Sequence, residues 1–392
     1  MIKASPQQLS PLLGFPNYGV FPDAKSDKKT VDHYLIQLLD QCLLQYAYNE
    51  VLPARADKWL AVSSLHKSIR RGEVELAFRA TASLLSVDPD YFFRRLPVIA
   101  YEDIGVADPV LCALVLFASA KRVQSAYGRD RLAYFLVERM AVSVKSRTAT
   151  DVFCLTLSDP YAKSYIESCL RLPPARLVDI VLDEDLSLTH RIAAIRLITG
   201  YSVRQPNGFT KTVTKPNLDL LATICEETQV PPAISHLVVA GNGKTEGLNG
   251  SLLLAYEMFS NSTRMETIRA EKQNHHSHGV LHAALDQYCR AGRSVISEFV
   301  DGSRELQSFF AMNPVKNPSH LVGVLLFQIE GCAVDRQLNF DGMLELQTEV
   351  EKMELLQAGV RTMAAATSLR ELLVSELDRL NSMQLKVLLA RN

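Results

Sequence analysis

The sequence predicts an all-α protein: a multi-helical array of short helices, closed by a C-terminal long-helix hairpin. Three observations predict it. Apolar residues recur at three- and four-residue steps through most of the chain. Asp-Pro pairs at 88–89, 108–109 and 159–160 each offer a side-chain acceptor to the free amides of a first turn, followed by a proline that loses no hydrogen bond there. No run alternates with period two, and no repeat of fixed period marks a regular solenoid.

At 392 residues the chain is too long for one small core. Its hydrophobic fraction of 47% is that of a globular protein and argues against disorder. A formal net charge of -1 gives no overall pull toward nucleic acid or anionic lipid, so any such contact requires a local patch. The seven cysteines form no CxxC pair and lie in apolar helical contexts, as reduced thiols in a cytoplasm do. The first residues lack the apolar core of a signal peptide, and no uncharged apolar run reaches the ~18 residues of a membrane span. A cytoplasmic location without membrane partners is the expectation.

Four segments are expected. Residues 1–56 form an arm and one helix. Four prolines before residue 27 prevent a helix in the arm, which lies on its own domain or reaches a partner; residues 28–49 carry one apolar stripe (Val31, Leu35, Leu38, Leu39). Residues 57–158 hold helices at 57–69, 73–85, 88–105, 110–124, 129–144 and 147–157. Gly105 sits where a left-handed cap is expected. Residues 159–335 continue with helices at 161–170, 175–182, 189–199, 217–227, 233–240, 251–259, 264–272, 279–291, 293–312 and 319–331. They are interrupted at 203–217 by a basic loop in which 210–214 is a short strand or an ordered turn. In residues 336–392, Leu369, Leu373, Leu380, Met383 and Val387 recur at helical steps, as two helices folded on each other or as an oligomerising coil.

The densest charge lies between 63 and 109. Lys67, Arg70, Arg71, Arg94 and Arg95 stand close in sequence to Glu102, Asp103 and Asp108. From 54 to 150 there are 15 Lys or Arg against 10 Asp or Glu, which is either a phosphate-facing patch or a set of solvated helix faces. Glu102 and Asp103 follow basic residues by one or two turns. That spacing favours a structural ion-pair network, with Lys67, Arg70, Arg94 and Arg95 as candidate partners, over catalytic carboxylates. The candidate DNA-binding residues are Lys67, Arg70, Arg71, Arg94 and Arg95, together with Arg204, Lys211 and Lys215 of the basic loop, which has no acid among them and is otherwise an ordinary connector. His278, His282 and Asp286 would share a face at i, i+4, i+8 if a helix began near 277, a spacing that suits zinc or manganese. Gly279 argues for a later start and for an ordinary polar turn. The turn at 237–245 ends like a phosphate-binding loop, but Val238 stands where that loop needs glycine. No metal or cofactor is expected, and no catalytic residue is assigned.

The strings His66-Lys-Ser-Ile-Arg70, Asp88-Pro-Asp-Tyr-Phe-Phe-Arg-Arg-Leu96 and Ile99-Ala-Tyr-Glu-Asp-Ile-Gly-Val-Ala-Asp-Pro109 resemble the C-terminal helical domain of the RarA/MgsA family of AAA+ ATPases, which includes the Werner-helicase-interacting protein. Ser143-Val-Lys-Ser-Arg-Thr-Ala149 is similar to that family's Pro-Lys-Ser-Asn segment, and the resemblance covers about residues 57–155. It implies a clamp-loader-collar-like domain that joins subunits as a tetramer, in proteins acting at stalled forks and on DNA ends. The family's ATPase domain should precede this point, yet the preceding 56 residues carry no Walker or sensor motif. The resemblance therefore implies an assembly module of replication, recombination or repair, without ATP hydrolysis, of a bacterium or its phage or other mobile element. The expected partners are further copies of the chain, a host AAA+ ATPase or replication protein, and DNA. The other readings are a module that modulates a host replication or defence complex without touching DNA, and a metal-dependent enzyme using the 275–286 cluster.

Overall fold

The computed structural model describes residues 20–23, 26–204, 210–269 and 275–390. The protein is all-α, with a few short strands. The N-terminal half comprises α1 (Lys28–Leu43), α2 (Lys58–Arg71), α3 (Val74–Val87), α4 (Pro89–Ile99), α5 (Pro109–Ala118), α6 (Lys121–Tyr127), α7 (Arg129–Val142), α8 (Thr148–Ser158), α9 (Ala162–Cys169), α10 (Pro174–Leu182) and α11 (Leu188–Thr199). A ribbon of β1 (Ser202–Arg204) and β2 (Thr210–Thr212) follows, then α12 (Leu218–Glu227), α13 (Pro232–Ala240) and α14 (Leu248–Asn261). Next come β3 (Met265–Arg269), the hairpin β4 (His276–Ser277) and β5 (Val280–Leu281), and α15 (Arg290–Gly302), α16 (Arg304–Met312) and α17 (Pro318–Leu326). The chain ends in β6 (Arg336–Phe340), α18 (Met343–Gln357), α19 (Met363–Ser375) and α20 (Leu377–Leu389).

Caps set several of these boundaries. Asp57 accepts from the amides of Trp59 and Leu60, Asp88 from Tyr91 and Asp108 from Leu111. Each pins a first turn that would otherwise expose its amides. At Asp159-Pro160 the expected helix start moves. The Asp159 carboxylate is divided between the Tyr161 amide and the Thr189 hydroxyl, so 159–161 is a turn and α9 begins at Ala162.

The largest core runs from Phe21 to Val350, spanning the sequence boundaries at 158/159 and 335/336. A second core joins α15–α17 to α19 and α20, with Leu369, Leu373 and Leu380 buried in it. The C-terminal apolar stripe thus packs on its own chain, and it forms three helices where two long ones were expected. Two further expectations fail in the middle of the chain. The segment read as helix 264–272 contains strand β3, paired antiparallel with β6 from Met265↔Phe340 to Arg269↔Arg336. The segment read as helix 279–291 starts with β5 and a short 3-10 turn, because Gly279 and His278 adopt positive φ angles of 78° and 52° and fold 276–281 into a hairpin. Among the described residues no single helix is long and apolar enough to cross a membrane.

One local feature positions the charged residues. After α4 the backbone widens into a π turn, Ala100–Ile104, ended by the Gly105 amide bonding to the Ala100 carbonyl. Such widened turns recur at functional sites. Gly105 has φ 50° and ψ -127°, and a Cβ there would stand 3.0 Å from the Ser146 carbonyl oxygen, so the turn requires glycine. The widening directs Glu102 and Asp103 toward α2 and the start of α8.

Candidate functional site: a charged cavity beside the π turn

A cavity of about 550 Å³ lies between α2, the π turn, α8, α18 and the second π turn Phe327–Gly331. Its charged wall begins on α2, where Ser63, His66, Lys67 and Arg70 fall at helical spacing on one face. Asp103, fully buried, accepts from Arg70 Nε at 2.7 Å and from Arg147 Nη1 at 2.8 Å on the same oxygen. Burial alone would raise its carboxyl, but the two guanidinium groups outweigh it and hold the group below the usual carboxylate value. Arg70 also donates to the Gly331 carbonyl, and Arg71 to the Glu330 carbonyl at 2.6 Å. Lys67 is 4% exposed and donates to Asp286 at 2.6 Å and to Ser63 at 2.9 Å.

Glu102 sits in a softer arrangement. Arg95 approaches it at 3.6 Å and bonds Glu246 at 2.8 Å, while Arg95 Nε donates to His66 Nε2 at 3.3 Å. That contact assigns the His66 proton to Nδ1, which then donates to Glu102 at 3.3 Å. Burial, and next the Arg95 charge, hold His66 well below its usual value, so the imidazole is neutral. Burial pushes Glu102 up, against the pull of Arg95.

The opposite wall is acidic. Asp151, 8% exposed in the first turn of α8, has a carboxylate oxygen, Oδ2, with no hydrogen-bond partner. Burial pushes its carboxyl up to about 7, with Arg147 opposing and Glu351 and Glu354 adding to the rise. Glu354 accepts from Gln328 at 3.2 Å and is likewise raised by burial. Glu351 accepts from Gln347 at 3.0 Å, with Arg370 at 3.6 Å. Cys154 and Cys332 also line the cavity, but burial raises both thiols and keeps them protonated, poor nucleophiles.

The sequence candidates are therefore separated by the fold. Lys67, Arg70, Arg71, Arg95, Glu102 and Asp103 are brought together in or beside the wall, with the first three buried and committed to internal acceptors. Such groups do not face a phosphate backbone. Arg94 points outward over the Tyr91 ring at 5.7 Å. Lys211 and Lys215 are exposed on and after the β1–β2 ribbon, far along the chain from the cavity. Arg204 lies in β1 opposite Thr210. His278, His282 and Asp286 do not share a helical face. His278 is in the hairpin turn, His282 contacts Ser277 at 3.0 Å and Asn381 at 3.4 Å, and Asp286 is occupied by Lys67. Among the described residues no group of three or more His, Cys, Asp or Glu is placed to hold a metal ion.

Residues that the sequence pattern did not single out complete the site: Arg147, Asp151, Asp286 as the partner of Lys67, and the Glu351–Glu354 pair. Arg147 lies in the Ser143–Ala149 string that carries part of the family resemblance, while Glu351 and Glu354 read as solvated positions of an amphipathic helix.

Comparison with known proteins finds a family match over part of this site. Residues 80–161, which include the π turn, Arg147 and Asp151, match the family described as MgsA AAA+ ATPase C terminal. Over 130 residues the chain is 33% identical to the Replication-associated recombination protein A of Bacillus subtilis (strain 168), covering 32% of this chain and 30% of that protein. The matched stretch thus spans less than a third of the relative's own length. No solved structure matches.

Proposed function

We propose that this chain is a non-enzymatic assembly module of bacterial replication-associated recombination. It brings together copies of itself, or joins an AAA+ ATPase of the matched family, through the helical unit at 57–158. One observation carries this reading: the family match falls on the segment whose π turn is locked by the Arg70–Asp103–Arg147 triad. A buried triad of this kind holds one geometry of the turn, as a docking element requires, and leaves its charged groups no freedom for chemistry. The molar mass of the chain, alone and mixed with a purified ATPase of that family, tests the reading.

DNA contact, where it occurs, falls to the exposed cations Lys211, Lys215 and Arg94, and to Arg204 of the ribbon. Residues 203–217 carry no acid to compete with phosphate. Replacing Arg204, Lys211 and Lys215 with glutamine is expected to weaken binding to all DNA sequences about equally. It should flatten the slope of log affinity against log salt by roughly 0.7–0.9 for each phosphate neutralisation removed. Fluorescence anisotropy over a salt series measures both, and an unchanged slope would remove the ribbon from the DNA interface. No binding to single-stranded, duplex or forked DNA at low salt would leave assembly as the whole function.

A further inference from the structure

We propose that a second cavity, at the seam between the two cores, binds a small carboxylic acid with an alkyl stem, its carboxylate held by Arg293. The inference is independent of the assembly reading.

This cavity has a volume of about 480 Å³, inside the range of about 300–1,000 Å³ usual for small-molecule sites. The end of α8, which packs on the first core, forms one side through Leu157 and Ser158. Helices α15 and α17 of the second core form the other, and the end of α18 completes the wall. Ligands bind preferentially in crevices between separately packed units. Three lining residues, Ile296, Val324 and Ala358, belong to the second core and are buried, while Leu157 is 53% exposed. An alkyl stem therefore has an apolar surface to lie on.

The charge in this cavity is matched differently from that beside the π turn. There Lys67, Arg70, Arg95 and Arg147 each have a carboxylate. Among the described residues Arg293 meets none, and its guanidinium makes one hydrogen bond, from Nη1 to the Gln287 carbonyl at 3.1 Å. His320 is exposed and bonds through its backbone amide to Asn317, which leaves the imidazole without a partner among the described residues. Glu354 is the one acid among the described lining residues. It accepts from the Gln328 amide at 3.2 Å, and burial raises its carboxyl, which lessens its repulsion of an anion. A guanidinium with unengaged N–H groups matches the two oxygens of a carboxylate, and an ammonium head group would leave those donors unmatched. The apolar wall favours a stem over a bare anion, by about fourfold in affinity for each methylene buried.

Isothermal titration calorimetry of the whole chain with butyrate, hexanoate and octanoate tests the site. Saturable heat is expected for octanoate, with affinity rising along the series by about fourfold for each methylene that enters the cavity. Arg293→Gln is expected to weaken octanoate by at least about tenfold, the fold-change of removing one charge-assisted hydrogen bond. Arg293 is exposed, so this variant should fold, and an unchanged melting midpoint verifies it. Arg293→Lys should retain part of the affinity, and His320→Gln should lose less than Arg293→Gln. Octylamine, with the same stem and the opposite charge, is expected not to bind. Absence of saturable octanoate binding would overturn the proposal. So would an affinity indifferent to stem length, octanoate binding unchanged in Arg293→Gln, or octylamine binding as tightly as octanoate.

Discussion

Asp103→Ala is expected to lower stability by about 3–5 kcal/mol, because it leaves the buried Arg70 guanidinium and the part-buried Arg147 guanidinium without their shared carboxylate. Chemical denaturation measures the loss as a lower midpoint. The sign with pH follows from the depressed carboxyl. The Asp103 contribution is present above about pH 4, the ordinary value of an aspartate in an unfolded chain, and is lost as pH falls through the lower folded value. Variant and parent should therefore differ most near neutrality and converge in acid. Replacing Asp103, Arg70 and Arg147 together with leucine and methionine is expected to restore much of the stability, since it removes the unpaired charges as well as the pairs. A single variant that folds as well as the parent but loses a function would assign Asp103 to a ligand instead of to the fold.

The second large effect is one turn earlier on α2, at Lys67. Asp286→Ala strips the buried Lys67 ammonium of its carboxylate, leaving Ser63 as a neutral partner, and is expected to cost about 3–5 kcal/mol. The paired change Lys67→Met with Asp286→Leu should recover most of that loss. Thermal melting with and without a chelator separates this reading from a metal site at Asp286. The midpoint of the parent protein is expected to be indifferent to the chelator, and a chelator-dependent drop would contradict the ion-pair account.

The helical class was legible because its signals are local. An Asp that caps a first turn and a Pro at the first helical position act within four residues, and Asp88 and Asp108 do so as their sequence suggests. Strand β3 was not legible. It spans five residues, and its partner β6 begins 67 residues after it ends, so nothing near Met265 in sequence distinguishes it from the helix before it. Its partner β6 was not read either, since buried Leu338 and Phe340 alternate with half-buried neighbours only within a five-residue strand. The charged site divides along the same line. Arg70 and Asp103 stand 33 residues apart within one dense string, and their pairing could be anticipated from charge. Asp286 is 219 residues from Lys67, and no spacing rule connects them. Asp151 was hidden for a different reason: an acid in the first turn of a helix is ordinary in sequence, and only packing reveals that its carboxylate is buried without a donor.

Assembly is the central claim, and multi-angle light scattering at tens of micromolar tests it most directly. The account predicts a mass that is an integral multiple of the single chain, or a single chain that shifts to a larger complex on mixing with the family's ATPase. A single-chain mass both alone and in the mixture would contradict it.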